Sequence, residues 1–505
     1  MEKKRNVLII MSDQHNKHVM GCAGDPVART PHIDRLARDG VRFDDAYCPA
    51  PLCVPCRASF LTSRFPSNTR VWENSQILSP TFPTWPQAAG LQGYETALIG
   101  RMHLSWPHQY YGFSRCLIGE LQGFPYFQPG VRFPRPNPPR GLRSISLLGQ
   151  ELKDVATSGW GSTYFQWQDE RIAEAACEYL GSRAGDSGSP FVAVVGFFLP
   201  HCIYAAPKDL FDHYYDRVSV PRVEESLPPT IRRFREKRGL PTLSDEAIRR
   251  ARAAYYGLCE LVDTSVGRIM GVLEKTGLLE ETLVIYCADH GDSAGEHGCW
   301  WKSNYYEGSA GVPLIMRFPD SPARGLRSRR IANLVDIGPT VLDYIGAAPM
   351  GSVDGRTLLP GIEKGDSGSD KAATFSELAE AKYTEPDRYI GRIHFPSRMI
   401  RQGEWKLWRF ADEENLPPAM FNLRDDPNEE RDLGCDPRYS SVREELLHRL
   451  MADWDPQWVK RTSEAATVEA RQVRSWFGKV LAPSLRDGVD WLYNDPHLED
   501  DLTLI

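Results

Sequence analysis

The sequence predicts an α/β fold: a doubly wound, mostly parallel sheet flanked by helices, followed by a smaller C-terminal α+β subdomain. Three observations predict it. The runs Val7 to Met11, Phe191 to Phe198 and Thr282 to Cys287 are continuously apolar, as strands covered on both faces require. They alternate with helical stretches at Thr30 to Ala37, Gln166 to Ser182 and Asp245 to Thr276. After about residue 375 the pattern changes. Arg398-Met399-Ile400-Arg401, then Gly403, then Trp405-Lys406-Leu407-Trp408 reads as a hairpin of an antiparallel sheet.

Along the chain, Val7 to Met11 ends in Ser12-Asp13-Gln14-His15, at the strand edge where open α/β sheets bind ligands. Thr30 is placed as an N-cap with Pro31 in the first turn. Val41-Arg42-Phe43 alternates like a short strand. Cys53 stands just before a helix carrying Ala58, Phe60 and Leu61, where backbone N–H groups favour negative charge. Tyr94 to Gly100 is a strand ending at Arg101-Met102-His103. Phe113 to Gly161 is rich in Gly, Pro and aromatics and reads as a long irregular insertion, a length that usually serves function. Phe191 to Phe198 leads to Pro200-His201, and Thr282 to Cys287 leads to Asp289-His290-Gly291-Asp292. Beyond the hairpin come a turn at Leu423 to Pro427 and a helix at Ser441 to Trp454. A basic-aromatic helix, Arg471 to Val480, and an acidic tail, Asn494 to Asp501, close the chain.

At 505 residues the chain exceeds one ordinary core, so a large and a small unit are expected. A formal charge of −7 leaves no basic footprint for nucleic acid and no polybasic membrane patch. An anionic substrate must therefore be attracted locally. No apolar run reaches the ~20 residues of a membrane span. Val7 to Met11 is too short for a signal sequence and lacks a cleavage site. Eleven cysteines are an odd number, and Cys177, Cys259 and Cys287 sit in apolar patterns, which fits a reduced, cytoplasmic protein.

Four short segments share one property: each comes directly after a predicted strand. They are Asp13-Gln14, Arg101-Met102-His103, His201 and Asp289-His290. Carboxylate and amide oxygens with one imidazole suit Ca²⁺, Mg²⁺ or Mn²⁺ better than zinc. Cys53-x-x-Cys56 alone reads as a redox pair or half a zinc site, but no second Cys/His pair stands at short spacing beyond it. The next residue is instead Arg57, one helical turn on from Cys53 and able to face back to it. Lys302 comes after Trp300-Trp301, which argues against full exposure. Asp292 reads as a solvated turn residue.

Cys53-Val54-Pro55-Cys56-Arg57, with Leu61, Thr62 and Arg64, resembles the signature of the type I, formylglycine-dependent sulfatases of the alkaline-phosphatase superfamily. So do Thr30 to Ala37, Leu261 to Arg268 and Asp336 to Thr340. The resemblance implies an alkaline-phosphatase-like fold, divided as a catalytic domain 1–375, a subdomain 376–455 and an extension 456–505. It implies that Cys53 is oxidised to formylglycine by a maturation enzyme, and that the hydrated aldehyde is the nucleophile. Asp13, Gln14, Cys53, Asp289 and His290 match the metal set, with calcium favoured over manganese or magnesium. Sulfatases often have Asp at the second position, and Gln14 resembles the choline sulfatases and phosphonate monoesterases.

By the same resemblance Arg57 helps lower the pKa of the nucleophile. Arg101 and His103 occupy a stretch resembling Gly-Lys-x-His, with arginine for lysine. Arginine can hold sulfate but not easily shed a proton. His103 is implied as the base that expels sulfate. His201 and Lys302 stabilise or protonate the departing alkoxide and bind substrate. Asn74 matches an asparagine near the sulfate in choline sulfatases. Pro51-Leu52-Cys53, Asn74 and Trp301 to Ser309 look most like those enzymes, whose C-terminal extension builds an oligomer. A homo-oligomer, dimer or tetramer, is implied through 456–505.

The implied reaction converts a sulfate monoester to alcohol and sulfate, the substrate being a small sulfated alcohol such as choline sulfate or a sulfated sugar. Tyr110, Tyr111, Phe124, Tyr126, Phe127 and Trp160 offer aromatics for a choline cage. Arg132, Arg135, Arg140 and Arg143 suit an acidic sugar instead. The rival activity is phosphonate monoester or phosphodiester hydrolysis on the same scaffold.

Overall fold

A computed structural model of the chain describes residues 5–104, 111–118, 150–185, 190–319, 323–365, 372–383, 392–411 and 416–480. Eight strands form the larger sheet: β1 (Asn6–Asp13), β2 (Val41–Phe43), β3 (Glu95–Gly100), β4 (Arg115–Cys116), β5 (Phe191–Pro200), β6 (Thr282–Ala288), β7 (Leu314–Arg317) and β8 (Leu326–Ser328). Their order is β8-β2-β7-β6-β1-β5-β3-β4. All neighbours are parallel except at β7, which runs against both β2 and β6. The central strands β1, β5 and β6 are buried along their whole length, which explains their unbroken apolar runs.

Register brings the strand ends together. Gly100 pairs with Gly196, Asp13 with Pro200 and Ser12 with Ala288. The loops after β1, β3, β5 and β6 therefore leave the sheet at one edge, as the sequence predicts. Glycine is required where two of them meet. Gly100 has φ +91°, and a Cβ on Gly196 would lie 1.9 Å from the Arg101 carbonyl oxygen.

Helices Pro31–Arg38, Tyr164–Ser182 and Asp245–Thr276 pack together, and Cys53–Thr62, Trp85–Leu91 and Ile337–Tyr344 form a second group. The predicted helix boundaries hold to within a few residues, and Asp245–Thr276 holds to the residue. Cys53 is the first residue of its helix rather than just before it, and all ten residues Cys53–Thr62 are buried.

A second, antiparallel sheet is built from β9 (Ala373–Tyr383), β10 (Arg392–Gln402), β11 (Trp405–Phe410) and β12 (Ala419–Asn422). Buried Lys406 of β11 binds Glu307 at 2.7 Å and Glu429 at 2.6 Å, tying this sheet to the loop that carries Lys302. The predicted helix at Arg471 is the end of a longer one, Pro456–Val480, which packs on the second sheet. The predicted irregular insertion carries regular structure at its described ends, in β4 and in helix Leu152–Ala156. Its centre lies outside the described residues, as do Tyr110, Phe124, Tyr126, Phe127, Arg132, Arg135, Arg140, Arg143 and the acidic tail. None of the eleven cysteines is in a disulfide. Among the described residues no helix is long and apolar enough to cross a membrane.

Candidate active site

Ligand atoms of Asp13, Cys53, Asp289 and His290 lie within 4.8 Å of one another, all four residues buried. The two carboxylates are aimed by one partner behind them. Arg57, one turn along the helix from Cys53, donates from Nη2 to Asp13 Oδ2 and from Nε to Asp289 Oδ2, both at 2.9 Å. Its Nη1 donates to the Arg101 carbonyl at 2.9 Å. That leaves the Oδ1 atoms facing the cluster. Asp13 Oδ1 is 3.8 Å from Cys53 Sγ, and Asp289 Oδ1 is 3.6 Å from His290 Nε2. Asp289 Oδ1 also accepts the backbone N–H groups of Gln14 (3.1 Å) and His290 (2.9 Å).

His290 Nδ1 lies 3.0 Å from the Gly291 carbonyl, which can only accept, so Nδ1 carries the proton. Its Nε2 lone pair points at Cys53 Sγ, 3.2 Å away. An imidazole fixed by a carbonyl on one nitrogen and open on the other is the usual arrangement of a metal ligand. Burial lowers the His290 pKa, keeping the ring neutral as ligation requires. The donor set fits a divalent cation.

The other side of Cys53 is cationic. Lys302 Nζ is 3.0 Å from Sγ and 2.8 Å from Gln14 Oε1. It is flanked by Trp301 and Ser303, both at positive φ, a costly backbone fixed by its surroundings. Against the penalty of burial, Cys53 and Asp13 raise the Lys302 pKa. Arg101 Nε lies 2.9 Å from Asp13 Oδ2, and its guanidinium sits over the Phe198 ring at 4.7 Å. Although burial opposes it, Arg101, His201, Lys302 and Arg57 hold the Asp13 pKa well below the usual carboxylate range.

The two histidines are set in opposite tautomers. His201 Nδ1 is 2.6 Å from the Cys202 carbonyl, so it donates there and turns an Nε2 lone pair inward, toward Cys53. His103 Nδ1 is 2.8 Å from Arg101 Nη2, which can only donate. Neutral His103 therefore carries its proton on Nε2. Burial, then Lys302 for His201 and Arg101 for His103, lowers both pKa values.

Asp13, Gln14, Cys53, Arg57, Arg101, His103, His201, Asp289, His290 and Lys302 are at or beside this cluster, and Asn74 reaches it with a change of part, whereas Tyr111 donates to the Leu78 carbonyl and Trp160 is exposed. Asn74 accepts the Val54 N–H at 2.9 Å, capping the helix that begins at Cys53. Its loop is held by Gln76, which donates to the Ser463 carbonyl at 2.8 Å. Asp292 is a correction: it is fully buried, not solvated. It accepts from Gln14 Nε2 (2.6 Å), Tyr204 Oη (2.6 Å), Ala294 N (2.8 Å) and Trp301 N (2.9 Å). Nothing in its spacing shows that donors from four parts of the chain converge on it. Asp169 was also missed. It lies mid-helix, and its carboxylate accepts the N–H groups of Phe198 and Leu199, both at 2.8 Å, just before His201.

The sulfatase family pattern matches residues 5–347, and the C-terminal pattern of N-sulphoglucosamine sulphohydrolase matches 295–455. A choline-sulfatase of Rhizobium meliloti (strain 1021) is 31% identical over 98% of this chain and 94% of its own. Arylsulfatase K of Danio rerio is 29% identical over 98% and 93%. Among solved structures, the phosphonate monoester hydrolase of Agrobacterium radiobacter superposes with a TM-score of 0.71 at 25% identity, covering 89% of this chain and 95% of its own. BT4656, solved with its substrate D-glucosamine-2-N,6-O-disulfate, gives a TM-score of 0.67 at 22% identity over 92% and 99%, a likeness of fold.

Proposed function

The chain belongs to the sulfatase family and is a sulfuric ester hydrolase, and from that premise we propose that it works through a formylglycine at position 53 and one divalent metal ion. The observation that supports this most is the buried donor cluster around Cys53, with Arg57 behind both carboxylates. Asp13, Gln14, Asp289, His290 and residue 53 would hold the metal, which lowers the pKa of a hydroxyl and neutralises sulfate charge. Oxidised and hydrated, residue 53 carries two hydroxyls on one carbon, one to attack sulfur and one to expel sulfate afterwards, which no serine ester could do. Ca²⁺ is the preferred metal because the oxygen-rich donor set is hard.

The surrounding side chains divide the remaining work. Arg101 and Lys302 bind the sulfate oxygens, and Lys302 supports the charge that grows on the leaving oxygen. His201, neutral and with its lone pair inward, takes the proton from the attacking hydroxyl and returns it to the leaving alkoxide; neutral again, it takes the proton of the remaining hydroxyl as the bond to sulfate breaks and the aldehyde reforms. His103 donates from Nε2 to sulfate. This departs from the base role that the family resemblance implies, because Arg101 occupies the nitrogen that would have to stay open. Asn74 acts through the helix it caps.

The substrate is a small sulfated alcohol such as choline sulfate or a sulfated sugar, the former supported by the choline-sulfatase relative. The eleven free cysteines support a cytoplasmic setting. We assign the homo-oligomer to the extension 456–505. Val459, Ser463 and Ala470 are already buried within the chain, so a cut after Val480, read by light scattering, isolates that contribution.

Peptide mass spectrometry of the residue-53 fragment tests the central step. Conversion of cysteine to the aldehyde removes the sulfur and shifts the mass. Unmodified cysteine in fully active native-host protein overturns the reading. Phosphonate monoester hydrolysis is the second reading, favoured by the Agrobacterium radiobacter structure. Relative kcat/KM on an aryl sulfate, a phosphodiester and a phosphonate monoester separates the two.

A further inference from the structure

Asp292 does not line the proposed metal site, yet it is the most heavily hydrogen-bonded carboxylate beside it. The groups on either side of Gln14 are each restricted to one hydrogen-bonding direction. A carboxylate only accepts and an ammonium only donates. Gln14 lies between them, with Nε2 2.6 Å from Asp292 Oδ2 and Oε1 2.8 Å from Lys302 Nζ. Only this orientation of the amide satisfies both neighbours. Its flip sets oxygen against carboxylate and NH₂ against ammonium.

Asp292 is itself held and cannot turn away. Oδ1 accepts from Ala294 N and Trp301 N, and Oδ2 also accepts from Tyr204. Because Trp301 precedes Lys302, the same carboxylate fixes the Gln14 amide and the backbone from which Lys302 springs. A second carboxylate at position 14 would meet Asp292 at the same short distance. We propose that Asp292 is a positioning residue that selects which end of the Gln14 amide faces Lys302 and residue 53, so that position 14 supplies a neutral oxygen. The inference rests on the reading of Gln14 as a metal ligand given above.

The test is isothermal titration of Mn²⁺ into the full chain and the variants D292N, Q14E and Q14E/D292N at one pH, with circular dichroism of each. In D292N the amide oxygen keeps the Ala294 and Trp301 N–H groups while its NH₂ faces position 14. Gln14 must then reverse, and Mn²⁺ affinity falls about 10–100-fold, the usual cost of losing a group that orients a ligand. In Q14E/D292N a carboxylate at 14 accepts from both neighbours at unchanged net charge, and affinity returns to within about threefold of the parent. Q14E alone gains no affinity, although simple addition of a ligand charge would tighten binding.

A parent chain that binds neither Mn²⁺ nor Ca²⁺, titrated in the same way, overturns the metal reading and this inference with it. A parent that binds while D292N loses less than about tenfold, or a gain in Q14E, or no recovery in the double variant, overturns this inference alone. If D292N does not fold, the double variant decides. Folding with near-parent affinity supports the pairing, and failure to fold overturns it.

Discussion

Residue 53 separates two differently built halves. On one side Asp13, Asp289 and His290 stand at or just beyond the ends of adjacent strands and are aimed by Arg57 and by backbone groups. On the other, Arg101, His103, His201 and Lys302 come from four loop positions, and contacts with their near neighbours set their protonation and direction: Arg101 on His103, the Cys202 carbonyl on His201 and the Gln14 amide on Lys302. The acidic half is positioned by the sheet and the cationic half by its own neighbours. Substitutions in the first should damage fold and metal binding together. Substitutions in the second should damage chemistry while leaving the fold.

Residue 53 belongs to both halves, and its loss is expected to be the largest effect. Cys53→Ala or Cys53→Ser should reduce kcat on an aryl sulfate by on the order of 10⁴-fold or more, since neither can carry two hydroxyls on one carbon. The thermal midpoint should stay near that of the parent. Retained turnover in Cys53→Ser would break the assignment of the nucleophile.

Asp13→Asn sharpens the contrast from the acidic side. It leaves Arg57 and Arg101 buried beside a neutral amide, and removing one partner of a buried ion pair costs about 3–5 kcal/mol. The expected result is a clear drop in the midpoint of chemical denaturation together with loss of divalent-metal binding. A variant as stable as the parent would show that the Arg57 and Arg101 pairs to Asp13 contribute nothing net to the fold.

That division also explains what the sequence disclosed. β1, β5 and β6 were legible because burial on both faces leaves no charged residue in them until the chain emerges at Asp13, His201 and Asp289. The acidic half inherits that clarity. β7 escaped notice: four residues pairing antiparallel inside a parallel sheet leave little pattern of their own. Asp292 was misread because a buried carboxylate after Gly291 looks like a turn until its donors at 14, 204, 294 and 301 are brought together. The His103 tautomer depends on which arginine nitrogen reaches it, information carried only by the fold.

Arg101→Lys tests the cationic half. A lysine can replace the charge opposite Asp13 but cannot also hold His103 Nδ1 in the same fixed geometry. The expected loss is about 10–100-fold in kcat/KM with little change in stability. Recovery of a proton-transfer role by His103 would appear as a new limb in the pH dependence of kcat. A variant with parental kcat/KM and pH profile would mean that the tautomer has no bearing on rate.

The smallest effect concerns the support behind His201, and it is read in stability. Burial raises the Asp169 pKa to about 7, although the Phe198 and Leu199 N–H groups pull the other way. The folded chain thus holds the Asp169 proton more tightly than the unfolded chain, whose carboxyl titrates near the ordinary 3.8. Its contribution is complete below that ordinary value and is lost as pH rises through about 7. The amount is on the order of 2–4 kcal/mol. Asp169→Asn cannot titrate, so its denaturation free energy should fall less steeply than the parent's between about pH 4 and 7. Parallel slopes would place the Asp169 proton equilibrium outside folding. They would also leave the two N–H contacts before His201 as its whole contribution, a role a neutral amide fills only in half, since only one of its two polar atoms accepts.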